Sequence, residues 1–244
     1  VKLEGTTAVI TGASRGLGKA LVQRFLEEGA KVACCARSLS HLQRLQLEVG
    51  HRHRYLLALA CDVADKEQVE QFSRRVLEEF GNVDVVINNA ALLGSRTELV
   101  DTTPSTWERV MEVNVNGVFY VTRSFLLPMI HRQRGSIINV TSSVGRQGRA
   151  RWGAYAVSKF AVEGFTQVLA EELKLKGIRV NAVNPGAMAT DMRRAAYPEE
   201  DPSSLKTPYE ITDIFVYLAS DKSRSITGRS LDAQKFTPPL KGTV

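Results

Sequence analysis

Short apolar runs alternate with longer amphipathic runs along almost the whole chain, and this alternation restricts the fold more than any single residue. Residues 6–11 read as a strand. The glycine-rich turn after it opens a helix with Leu17, Leu21 and Phe25 on one stripe, closed by Glu27-Glu28-Gly29. Further strands are expected at 31–36, 55–61, 83–88, 136–141, 178–184 and 230–232. Helices are expected between them at about 39–49, 66–80, 105–132, 152–176 and 208–219. Residues 55–61 are apolar throughout, as in a strand buried on both faces. Such alternation implies an α/β chain: a Rossmann-type, doubly wound parallel sheet of about seven strands, with helices on both faces. No linker or composition shift divides residues 1–244, so they read as one domain. The long irregular segment 186–207 is expected to lie over a site.

Bulk properties narrow the function classes. A net charge of +6 is modest for this length, and no basic stripe interleaved with aromatics suggests a nucleic-acid surface. No apolar run reaches the roughly 18 residues of a membrane span. The first residues have no secretory pattern, so cytoplasmic residence is expected, with a removed targeting segment left open. Cys34, Cys35 and Cys61 lie in apolar stretches without zinc-like spacing. They are expected to be buried reduced thiols, and no metal is expected.

Between the first strand and first helix lies Thr11-Gly-Ala-Ser-Arg-Gly-Leu-Gly18. Gly12, Gly16 and Gly18 permit a tight turn and close approach of backbone to a pyrophosphate, with Ser14, Arg15 and Leu17 between them. The helix N-terminus then supplies N–H groups and the positive end of its dipole. A carboxylate at the end of the second strand would bind the ribose of NAD. Here that strand ends Ala36-Arg37-Ser38, and Arg15 sits in the glycine loop, which favours the 2′-phosphate of NADP(H) over NAD(H).

Tyr155 and Lys159 are one helical turn apart in Gly153-Ala-Tyr-Ala-Val-Ser-Lys159. An ordinary phenol is a poor acid or base at neutral pH, and a cation on the same helix face favours the phenolate.

These motifs together resemble the short-chain dehydrogenase/reductase family, and the resemblance runs from Gly5 to about Leu231. It rests on the glycine loop, Cys61-Asp62-Val63, Asn88-Asn89-Ala90, Asn114, Ser142, Tyr155, Lys159, and Pro185-Gly186 with Thr190. The resemblance implies a catalytic tetrad of Asn114, Ser142, Tyr155 and Lys159. Tyr155 would donate a proton as hydride reaches a carbonyl carbon, and Ser142 would orient the carbonyl oxygen. Lys159 would lower the tyrosine pKa and hold the nicotinamide ribose, and Asn114 would hold a water linking Lys159 to solvent. Family spacing selects Ser142 over Ser143. Asp62 and Val63 would bracket the adenine. Asn88, Asn89 and Ala90 would line the cofactor, and Pro185, Gly186 and Thr190 would flank the nicotinamide. Two departures stand out: Ala91 replaces a customary glycine, and the ending Leu231-Asp-Ala-Gln-Lys-Phe236 replaces a glycine-rich acidic one.

The implied function is NADP(H)-dependent interconversion of a small-molecule carbonyl and a secondary alcohol. The alternatives are an NAD-linked sugar or alcohol dehydrogenase and a non-catalytic dinucleotide-binding regulator. The resemblance also implies a homotetramer or homodimer. Arg146, Arg149 and Arg151 fit either an anionic substrate or a solvated loop. Arg132, Arg134, Lys174 and Lys176 resemble the basic surface with which 3-oxoacyl-carrier-protein reductases meet their carrier, or else offset helix dipoles.

Overall fold

The computed structural model describes residues 2–237. Its strands are β1 (Thr7–Thr11), β2 (Lys31–Ala36), β3 (Leu56–Ala60), β4 (Val85–Asn88), β5 (Gly135–Val140), β6 (Ile178–Asn184) and β7 (Ser230–Asp232). They alternate with helices α1 (Gly16–Glu27), α2 (Leu39–Glu48), α3 (Lys66–Phe80), α4 (Pro104–Met111) and α5 (Gly117–Arg132). Helices α6 (Gly153–Leu173), α7 (Asp191–Ala196) and α8 (Asp213–Ala219) complete the set. All seven strands are parallel in the order β3-β2-β1-β4-β5-β6-β7. This is the expected Rossmann-type doubly wound sheet.

Alternation along each strand sorts its side chains into two layers. Ile10 and Ile138 pack with Leu21 and Phe25 of α1 and Phe215 of α8 on one face. Val9 and Val180 pack with Phe72 of α3, Phe125 of α5 and Leu169 of α6 on the other. Phe72 meets Phe125 edge to face with centroids 6.3 Å apart. A buried side chain of this size contributes about 1.5–3 kcal/mol, so these two layers hold the strand ends in register.

Three local expectations change. Strand β3 is the sheet edge, so Leu57, Ala58 and Leu59 are only half-buried rather than covered on both faces. The helix expected over 105–132 is interrupted by a π turn at Glu112–Asn116. The cause is Asn114, whose amide is pulled out of the helix to bond Leu92. Its Oδ1 accepts from Leu92 N–H at 2.8 Å, and its Nδ2 donates to Leu92 C=O at 2.9 Å. The irregular segment 186–207 contains α7, capped by Thr190, whose hydroxyl accepts from Arg193 N–H at 3.2 Å. Among the described residues, no helix is long and apolar enough to cross a membrane. Cys34, Cys35 and Cys61 are buried free thiols.

The strand order turns outward in both directions from β1 and β4. Their carboxyl ends therefore open a crevice at the topological switch point.

Candidate active site

The crevice is lined by the glycine loop, the ends of β2, β4, β5 and β6, the start of α6, and α7. At its centre, α1 begins at Arg15 with no side-chain cap and no acidic residue in the first turn. Its first N–H groups are therefore unspent and available to an anion. Gly18 has no room for a side chain, since a Cβ would lie 2.2 Å from Gly12 C=O, and Gly12 itself sits at φ +69°. Asn89 staples this loop to the β4 exit by donating from Nδ2 to Thr11 C=O at 2.8 Å and Gly12 C=O at 3.2 Å. The Asn89 and Ala90 N–H groups both donate to Thr11 Oγ1 at 3.0 Å. A rigid, glycine-walled, uncapped helix start fits a dinucleotide pyrophosphate.

Gly12, Ser14, Arg15, Gly16, Leu17 and Gly18 all line this groove, as do Arg37, Asp62, Val63, Asn89 and Ala90. Pro185, Gly186 and Thr190 line its other end. Arg15 pairs loosely with Asp191 of α7 at 3.8 Å. Asp62 is fixed by Arg109 and by Ala64 N–H at 3.1 Å. Two expected residues fall elsewhere. Ser38 caps α2, accepting from His41 N–H at 3.4 Å, and does not line the groove. Asn88 points beneath the sheet, where Nδ2 donates to Thr122 at 2.9 Å and Asn139 at 2.8 Å. Adjacent strand residues face opposite ways, so Asn89 reaches the groove and Asn88 does not.

Tyr155 and Lys159 stand on one face of α6, with Ser142 opposite at the β5 exit. Ser143, its neighbour, is exposed and lies outside the groove. Burial pushes the Tyr155 phenol up to about 12, with the Ser142 hydroxyl pulling the other way. Lys159 stands one turn further along the same helix. Its ammonium donates to Val140 C=O at 2.8 Å and lies 5.6 Å from the centre of the Tyr155 ring. Burial lowers Lys159 itself to about 8, opposed by the nearby Glu163 carboxylate. Gly145 lets the loop after β5 lie against Lys159, because a Cβ there would come within 2.8 Å of the lysine backbone.

Asn114 sits behind this pair, fully buried and off the groove. Besides its two bonds to Leu92, its Nδ2 donates to Ser158 Oγ at 2.9 Å, and Ser158 donates to Tyr155 C=O at 2.7 Å. Both amide hydrogens are thus used to tie the segment after β4 to α6.

The sequence reading missed the outer wall. Leu93, Trp152, Met192, Arg193 and Ala196 line the groove beyond Tyr155. Trp152 packs on Tyr155 with centroids 5.7 Å apart and on Tyr197 at 6.1 Å. The one local signal was a tryptophan at the N-cap of α6, three positions before the tyrosine. The basic loop turns away instead: Arg146 pairs with Asp232 at 2.9 Å and Glu163 at 3.4 Å. Arg151 pairs with Glu98 at 3.7 Å, and neither these two nor Arg149 lines the groove. On the opposite end, Arg132 is tied to Asp84 at 2.7 Å, and Arg134 pairs with Asp221 at 3.6 Å.

A crossover-built sheet, a glycine cradle at its switch point and a buried Tyr–Lys pair beside it define a dinucleotide-dependent oxidoreductase. Residues 6–201 match the short chain dehydrogenase family. The chain is 39% identical to the uncharacterized oxidoreductase YciK of Escherichia coli K12, covering 95% of this chain and 92% of that protein. It is 35% identical to the 3-oxoacyl-[acyl-carrier-protein] reductase FabG of Vibrio cholerae, covering 95% and 96%. A crystal structure of a short chain dehydrogenase from Shigella flexneri complexed with NADP superposes with a TM-score of 0.91 at 38% identity, covering 95% of this chain and 98% of that one. The chain belongs to the short-chain dehydrogenase/reductase family and is an oxidoreductase of that family.

Proposed function

We propose that this protein interconverts a carbonyl and a secondary alcohol with NADP(H), using Tyr155 as the acid and base. The observation that carries this reading is the placement of Tyr155, Lys159 and Ser142 around one end of the groove that the glycine cradle opens. The bound dinucleotide would supply or accept the hydride. At neutral pH the Tyr155 phenol holds its proton, and it can deliver that proton to an oxygen gaining negative charge. Ser142 offers a hydroxyl to the same oxygen and fixes its direction. Lys159 brings a cation to a site with little water, where it favours the phenolate left behind. Asn114 acts through Leu92 and Ser158, as a positioning residue for the Tyr155 turn. The test is NADPH oxidation followed across ketones, quinones, sugars and 3-oxoacyl thioesters. No oxidation with any of them would sink the reading.

The preference for NADP(H) is supported by Arg15 and Arg37 at the adenine end and by the absence of an acid at the end of β2. The Arg15–Asp191 pair is exposed and 3.8 Å long, so a phosphate can displace it at little cost. Hydrogen bonds to charged groups are worth about 1.5–3 kcal/mol, so Arg37→Asp should shift the NADPH-to-NADH ratio of kcat/KM by about ten- to a hundredfold towards NADH. An unchanged ratio would remove Arg37 from the cofactor site.

Self-association is supported by a second stripe on α6. The stripe Val162, Leu169 and Leu173 faces inward onto the sheet, whereas Val157, Phe160 and Val168 are exposed on the outer face. Phe119 and Leu127 of α5 add to the exposed apolar surface. A face of this kind favours burial against a second copy. Sedimentation should show a dimer or tetramer, converted to monomer by the double change Phe160→Glu, Val168→Glu. A monomeric wild type would contradict this.

A further inference from the structure

Arg96 lies in the segment after β4, three positions beyond Leu93 of the groove wall and itself outside the lining. Its guanidinium carbon is 4.6 Å from the Trp152 ring centre and 4.8 Å from that of Tyr197. Its Nη1 donates to the Ala196 carbonyl at the end of α7. One side chain therefore joins three segments: the β4 exit, the start of α6 and the end of α7. Tyr197 is covered in turn by Arg193, 3.8 Å from its ring centre. A planar guanidinium stacks against both rings at once, a contact that an ammonium cannot reproduce.

The wall held this way is apolar. Leu93, Trp152, Met192 and Ala196 face the groove beyond Tyr155. The cation among them, Arg193, is neutralised by a two-pronged bond to Glu200 at 2.5 and 2.6 Å. Resting on the oxidoreductase reading above, we propose that Arg96 is a positioning residue that sets Trp152 and Tyr197 as the wall of a subsite for neutral, apolar carbonyl compounds, and that this subsite discriminates against anionic ones. The physical reason is desolvation. An anion enclosed by these side chains loses water without gaining an uncommitted cation, and a neutral ring system loses nothing comparable. Arg96 itself presents its faces to two rings and one Nη to a carbonyl, and its Nε, buried without a partner among the described residues, does not open on the groove.

The experiment compares 2-tetralone with its 6-carboxylate, using NADPH, in wild type and Arg96→Met. Burying an uncompensated charge is unfavourable, so the wild type should favour the neutral ketone in kcat/KM by about tenfold or more. Loss of two ring contacts and one hydrogen bond in Arg96→Met should raise KM for 2-tetralone about tenfold and leave kcat within about threefold. Trp152 emission, read in a Trp107→Phe background, should shift to the red as the wall loosens. Arg96→Lys should recover little of this, and NADPH affinity should be unchanged in both variants, which shows that the cradle is intact.

Fluorescence titration of the NADP+ complex with the two ketones gives the same comparison without turnover. Equal or better use of the carboxylate by wild type overturns the proposal. So does an Arg96→Met protein that loses only the carboxylate, since Arg96 would then be an anion receptor. Unchanged KM and emission would also overturn it. Failure of the chain to bind NADPH at all sinks the oxidoreductase reading instead.

Discussion

Tyr155→Phe is expected to lower kcat/KM for carbonyl reduction by about 10³-fold, inside the 10²–10⁴ range of a positioned general acid. The change removes one oxygen from a ring that is buried with Val144, Trp152, Ala156 and Ala196, and phenylalanine fits the same apolar cluster. The fold should therefore stand, and NADPH affinity should be unchanged. The lost atom is the proton donor, and Ser142 loses the hydroxyl opposite it. Ser142→Ala should cost less, because the acid remains and only an orienting hydrogen bond goes. Stopped-flow NADPH oxidation on any accepted ketone decides the point. Full turnover by Tyr155→Phe would mean that another group delivers the proton.

The sheet was legible because its signal is periodic. Residues 31–36, 66–80, 178–184 and 230–232 needed only apolar spacing and turn residues to be bounded correctly. Features set by side chains meeting across the fold were not. The π turn at Glu112–Asn116 interrupts an unbroken amphipathic pattern, and its cause is a bond to Leu92, twenty-two positions earlier. Strand β3 has the composition of a central strand, and only the order of pairing makes it an edge. Asn88 and Asn89 are the same residue type, separated in role by one step of a pleat. The Arg96, Trp152 and Tyr197 contacts join residues so far apart that no window contains two of them. The glycine loop, Tyr155 and Lys159 were readable because each motif is local and its chemistry depends on spacing within one turn.

Lys159→Met should abolish turnover and yet stabilise the protein at neutral pH. Burial lowers the ammonium from its ordinary 10.5 to about 8, which corresponds to an upper limit of about 3 kcal/mol of cost for holding the charged form. Methionine carries no such cost and has a similar unbranched shape, although it leaves Val140 C=O without its 2.8 Å donor. Offsetting roughly 1–2 kcal/mol for that orphaned carbonyl leaves a net gain of about 1–2 kcal/mol. For a chain of this size such a gain is about 2–8 °C in Tm. The sign of the pH dependence follows from the depressed value. Below about 8 the lysine is protonated in both states and the full cost is present. Between 8 and 10.5 the unfolded chain binds more protons than the native one, so wild-type stability rises with pH across that window. The variant lacks this rise, and the gap between the two melting curves should narrow from pH 7.5 towards 10. Above pH 10 the raised Tyr155 phenol acts in the opposite sense in both proteins, since the native state then keeps a proton that the unfolded state has lost. A variant that melts below wild type at pH 7.5, with a gap independent of pH, would show that Val140 C=O and the Glu163 carboxylate hold Lys159 without a desolvation cost. Its charge would then be structural, and stability and activity would not oppose one another at this position.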